Sequence, residues 1–328
     1  MAVNTPADRV GRHSWTAHRE RSNLWVLRVM RWIAVHAGRR LARGALHPIT
    51  LYYLLVHRTA RRESARYLGR ALGRPARGTD VFRHIHCFAS TVLDRVYFLQ
   101  ERIDQFDVHM TGAEPVHGNL DRGEGAMLVG AHLGSFEALR ATAQQLRLPL
   151  AMLMYEDNAR LINATLEALA PHVKLQTIAL GRAGAMLALR RWLDDGGVAG
   201  LLADRTLPGQ SGRSRTLWLP FLGQPARFSD GPFRLAALLR RPLYFMAGLY
   251  HGANRYEVRF VELADFRGAP NPADLDERIL EALQRYVALL ESLCRESPYN
   301  WFNFFDFWAD DAPESAPPPR STPPAPQP

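Results

Sequence analysis

From about residue 107 the chain alternates short apolar runs with longer stretches of helical period, and this alternation constrains the fold more than any other feature. The strand-like runs are 107–111, 126–131, 149–154, 175–179, 198–203, 243–249 and 256–261. Helices are expected over 135–146, 159–169, 183–194, 229–239 and 272–296. Strands that are apolar throughout are covered on both faces, so the pattern predicts an α/β fold with a central, mostly parallel sheet flanked by helices. Ser229-Asp230-Gly231-Pro232 has the form of a helix start, with a capping side chain and an early proline.

Chemistry concentrates at Gly130-Ala131-His132-Leu133-Gly134-Ser135-Phe136-Glu137. The apolar run before it is a strand, and Ser135 opens the helix after it. His132 therefore stands at the C-terminal end of a sheet strand, where open α/β folds place their sites. Positions five apart on a continuous helix lie roughly 140° apart, so His132 and Glu137 meet only if the chain bends at Gly134. With that bend, Glu137 is expected to accept the Nδ1 proton and leave Nε2 free to take a proton from a hydroxyl. Backbone N–H groups after Gly134 are candidate oxyanion donors. A histidine beside an apolar strand is also common as a purely structural residue. Ser135 lacks the Gly-x-Ser-x-Gly elbow, which disfavours a serine hydrolase.

This block resembles the His-x4-Asp/Glu motif of the lysophospholipid acyltransferase superfamily, and in particular the late acyltransferases of lipid A biosynthesis. The resemblance continues in family order over roughly residues 20–308, through Val198-Ala-Gly-Leu-Leu-Ala-Asp204-Arg205, Leu219-Pro-Phe-Leu-Gly223 and Pro242-Leu-Tyr-Phe245. Ser135-Phe136 replaces the family's Asn-Trp pair, and Asp204-Arg205-Thr206 replaces its Asp-Gln-Asp. The resemblance implies direct transfer of an acyl group from a thioester, on acyl carrier protein or coenzyme A, to a hydroxyl of a lipid or glycolipid. His132 would be the general base and Glu137 its support, with no metal, no cofactor and no covalent intermediate. Arg182, Asp204 and Arg205 are candidate substrate-binding residues, since paired guanidinium donors suit phosphate or carboxylate. The implied place is the cytoplasmic face of a bacterial inner membrane, with acyl carrier protein and a membrane lipid as partners. Tyr299–Trp308 holds seven aromatics in ten residues, fit either to wall an acyl groove or to pack on the domain. It also resembles relatives associated with aryl polyene pigments, which leaves a pigment lipid as an alternative acceptor.

The first hundred residues differ in charge. They hold 18 Arg and 5 acidic groups, a net of +13, while the remainder holds 23 basic and 27 acidic groups, a net of −4. Anionic lipid, nucleic acid and an acidic protein all suit such a segment. No helix-turn-helix or RNA-binding block accompanies it, which disfavours nucleic acid. Lys174 is the only lysine, a skew that genome composition explains as well as function does. Val26, Met30, Ile33, Ala37 and Leu41 share one helical arc and Arg28, Arg31, Arg39, Arg40 and Arg43 the other, the pattern of an interfacial helix or of one packed on a core. A turn is expected at His47-Pro48, then an apolar run over 49–56 and arginines at 58, 61, 62, 66 and 70. The uncharged stretch 44–57 falls short of the roughly 20 residues of a spanning helix. No cleavable signal peptide is evident in the polar first 23 residues.

These readings divide the chain into a flexible 1–20, a helical membrane-associating 21–102, an acyltransferase α/β domain over 103–311, and a disordered 312–328 that carries eight of the 22 prolines. Cys87 and Cys294 are too few for a disulfide framework or zinc site and are expected to be buried thiols. A catalytically silent lipid-binding protein is the alternative of a different class.

Overall fold

The computed structural model describes residues 20–145, 148–155, 176–205, 215–268, 271 and 273–308. The expected helix over 159–169, the first 19 residues and the proline-rich tail lie outside them.

Three helices come first: α1 (Glu20–Val56), α2 (Arg58–Ala71) and α3 (Gly78–Leu99). There follow β1 (Asp107–Thr111), α4 (Glu114–Asp121), β2 (Ala126–Gly134), α5 (Phe136–Gln145), β3 (Leu150–Tyr155), β4 (Thr177–Leu180), α6 (Ala185–Asp194) and β5 (Val198–Leu202). A hairpin of β6 (Thr216–Phe221) and β7 (Gln224–Ser229) leads to α7 (Gly231–Leu238), β8 (Pro242–Tyr250), β9 (Arg255–Asp265) and α8 (Leu275–Glu296). The main sheet has the order β1-β9-β8-β2-β5-β3-β4, parallel throughout except where β8 meets β9. All seven strand-like runs belong to it, as the alternation predicts.

Each face of the sheet carries a core. Met127, Val129, Ala131 and Leu133 of β2 pack with α2, the hairpin, α7 and α8, while Ala126 and Leu128 pack with α1, α3 and α5. β8 is buried along its whole length, as a central strand covered on both faces must be.

Two local expectations are corrected. The chain does not turn at His47-Pro48: α1 runs on through Pro48, and its break falls at Gly38 (φ 77°, ψ 166°). Glycine leaves helical dihedrals at little cost, whereas the helix continues through Pro48 without that residue's own i→i−4 hydrogen bond. The β6–β7 hairpin was not foreseen, because Pro220 and Pro225 disguise its strands. The two prolines pair across the ladder, and the turn at Leu222 (φ 50°) and Gly223 (φ 79°) has the positive dihedrals of a tight hairpin.

Of the arc expected to be apolar on the first helix, only Leu41 has a described side chain, and it is exposed. Arg39 turns inward instead, in a two-pronged pair with buried Asp94 at 2.9 Å. Cys87 and Cys294 are buried and unbridged.

Candidate active site

Strand pairing builds the site. β2 and β5 run parallel with Gly130 opposite Leu202, and the N–H of Ala203 reaches the carbonyl of Gly130 at 2.9 Å. Two residues further along each strand, the same register sets His132 against Asp204. Nδ1 of His132 lies 2.9 Å from Asp204 Oδ1, and the backbone N–H of His132 donates to Oδ2 at 3.0 Å. The indole N–H of Trp301 donates to Oδ2 as well, at 3.0 Å. Asp204 is buried, and the His132 side chain is about one-third exposed.

Burial alone would raise the pKa of Asp204. The charge and hydrogen bond of His132, with Arg205 and Trp301, outweigh it and hold the carboxyl well below the usual range. Asp204 is therefore an ionised acceptor for the Nδ1 proton of His132, which leaves Nε2 as the nitrogen that faces away from the carboxylate. A carboxylate-oriented imidazole with one open nitrogen has the arrangement that general-base chemistry requires.

Glu137 does not occupy the place that its spacing suggested. The bend at Gly134 is present (φ 73°), but Glu137, in the first turn of α5, forms an ion pair with Arg95 of α3 at 2.7 Å. Nδ1 is held by Asp204. The amides at the bend are also engaged, Gly134 N with Asn300 O at 2.8 Å and Ser135 N with Gly248 O at 2.7 Å. Gly134 is required here on two grounds: its φ is left-handed, and a Cβ would stand 2.0 Å from the carbonyl of Gly248.

Trp301 was missed as a site residue. Its segment runs against the end of β2: Leu133 and Trp301 form a bridge, and the N–H of Phe302 donates to His132 O at 2.8 Å. Behind it, fully buried His84 meets the carbonyl of Trp301 through Nε2 at 2.9 Å and Ser64 Oγ through Nδ1 at 2.8 Å. A chain of polar contacts thus links α2 and α3 to the dyad. Only the aromatic density of 299–308 pointed toward this segment, and it did not single out one indole.

Arg205 follows Asp204 directly. Its guanidinium lies 5.0 Å from the centre of the Phe305 ring, and burial lowers its pKa against the pull of Asp204. Arg182 lies in the exposed turn after β4, at the same C-terminal end of the parallel strands but three strand spacings from β2, roughly 14 Å. Residues 206–214 of the loop after Asp204 lie outside the described residues. Among the described residues, no group of three His, Cys, Asp or Glu side chains is placed to hold a metal ion.

A family model for bacterial lipid A biosynthesis acyltransferases matches residues 88–308. That range includes His132, Asp204 and Trp301. No curated protein matches the chain.

Proposed function

Because this chain belongs to the bacterial lipid A biosynthesis acyltransferase family and is an O-acyltransferase, we propose that it moves a fatty acyl group from acyl carrier protein to a lipid hydroxyl, with His132 as general base and Asp204 as its orienter. The observation that carries this reading is the double contact of Asp204 with the ring and backbone of His132.

In the proposed reaction Nε2 removes the hydroxyl proton as the oxygen attacks the thioester carbonyl carbon. Asp204 stabilises the imidazolium that forms. The tetrahedral intermediate collapses with cleavage of the C–S bond, and the imidazolium returns the proton to the leaving thiolate. Arg205, a half-buried cation beside the dyad, is assigned to an anionic part of a substrate. Arg182, at the same C-terminal end of the parallel strands, is assigned to the phosphate of the donor's arm.

The assigned place is the cytoplasmic face of the inner membrane, held peripherally. In support, Leu51, Tyr52, Leu55 and Val56 are exposed at the end of α1, and exposed Arg58, Arg61 and Arg62 follow. Among the described residues no helix is long and apolar enough to cross a membrane.

The test is acyl transfer by purified protein in vesicles containing a hydroxylated lipid A precursor, with acyl carrier protein and coenzyme A thioesters compared as donors. His132→Ala should abolish transfer, and a parental rate in that variant would sink the mechanism.

A further inference from the structure

A cavity of about 260 Å³ opens between α2 and the C-terminal aromatic segment, lined by Arg66, Arg70, Asp306 and Trp308. The guanidinium of Arg70 lies over the Trp308 ring, 4.0 Å from its centre. Nη1 of Arg70 and Nε1 of Trp308 are both buried and have no hydrogen-bond partner among the described residues.

Buried donors without acceptors are uncommon, because each has given up water for nothing. Here two of them belong to side chains that line one cavity, and one of those side chains is cationic. Arg66 adds a second guanidinium at the mouth. Its Nη1 is shared between Glu63 at 3.2 Å and Asp306 at 3.1 Å, so the one carboxylate lining the cavity is already paired. Burial and the charge of Arg66 lower the pKa of Arg70, and the opposing charge of Asp306 offsets them only in part. Donors, positive charge and limited volume together describe a receptor for a small oxyanion, which a forked guanidinium grips through paired hydrogen bonds.

The cavity also adjoins the dyad's support. Trp308 stacks edge-on against Trp301 with ring centres 6.1 Å apart, and Trp301 donates to Asp204. We propose that this cavity is a subsite for a phosphate group, carried on a lipid headgroup or free in solution. Its role in positioning a substrate rests on the acyl-transfer reading, whereas its affinity for phosphate does not.

The experiment follows tryptophan fluorescence of the full chain titrated with inorganic phosphate. In parallel, flotation is measured with phosphatidylcholine vesicles with and without phosphatidic acid. Saturable binding is expected, and Arg70→Gln should weaken it about tenfold, the loss of a charged, paired contact. Arg70→Lys should recover part of the loss, and Trp308→Phe should weaken flotation on phosphatidic acid by a smaller factor. A preference for phosphatidic acid that Arg70→Gln removes identifies a headgroup, while saturation by inorganic phosphate without that preference identifies a free ion. His132→Ala should bind like the parent, so inactivity and loss of the subsite are read separately. Thermal midpoints exclude misfolding. Parental affinity in a folded Arg70→Gln variant, or no saturable binding of either probe by the parent, overturns the proposal.

Discussion

Asp204 holds His132 twice, taking the backbone N–H of the histidine on one carboxylate oxygen at 3.0 Å and meeting Nδ1 with the other at 2.9 Å. One side chain thus fixes both where the strand end lies and which ring nitrogen keeps the proton. Neither task can be passed to Glu137, whose carboxylate is paired with Arg95.

Asp204→Asn and Glu137→Gln should therefore differ. The amide keeps the shape of the carboxylate but loses its charge and one acceptor, so kcat should fall about 10³-fold or more with KM little changed. Glu137→Gln breaks an ion pair whose arginine is 38% exposed and whose carboxylate is 13% exposed, so it should cost on the order of 1–2 kcal/mol of stability and about tenfold or less in rate. Initial rates of both variants at saturating substrate decide. Equal losses would return the orienting role to Glu137.

Trp301→Phe should separate kcat from KM in the same direction, more mildly. The phenyl ring fills most of the buried space but has no N–H, leaving Asp204 Oδ2 with one donor in place of two. Loss of a hydrogen bond to a charged group is worth roughly 1.5–3 kcal/mol. The expected result is a fall of about tenfold or more in kcat and a lower thermal midpoint, read by steady-state kinetics and calorimetry. Parental kcat would make Trp301 a packing residue only.

The strands that carry the site were legible because β2 and β5 are apolar along their length, and His132 and Asp204 each stood out at a strand end. Their partnership was not legible. It joins residues 72 apart through the order of strands in a parallel sheet, where neighbours are set by crossover connections rather than by local pattern. Glu137 drew notice because it is near in sequence, whereas the register Gly130↔Leu202 decides what is near in space. The hydrogen bond from Trp301 was hidden for a related reason: one indole among seven clustered aromatics carries no mark of a buried acceptor. The inward turn of Arg39 was likewise unreadable, since its partner Asp94 lies on another helix.

His84 makes a pH prediction. Burial lowers its pKa from 6.5 to about 4, opposed by its bond to the carbonyl of Trp301. The unfolded chain thus binds a proton between those values that the native state refuses. The stabilising contribution is fully present above about pH 6.5 and is lost as pH falls toward 4, with a ceiling on the order of 3 kcal/mol. Denaturant unfolding measured across pH 4–7 should show this slope, and His84→Gln should flatten it. A slope unchanged in that variant would mean that another group carries it.

The exposed end of α1 predicts how the protein leaves a membrane. Leu51, Tyr52, Leu55 and Val56 are 49–63% exposed, so replacing Leu51 and Leu55 with serine removes apolar area from the surface and little from the core. Each leucine fully buried in lipid is worth roughly 1.5–3 kcal/mol. Even partial insertion makes a tenfold or greater loss of vesicle partitioning the expected outcome for the double variant. Salt discriminates further. About 0.5 M salt screens the Arg58, Arg61 and Arg62 stripe but not apolar insertion, so the parent should be released in part and the double variant completely. Complete release of the parent by salt alone would leave only the arginines as the attachment and would refute the apolar anchor.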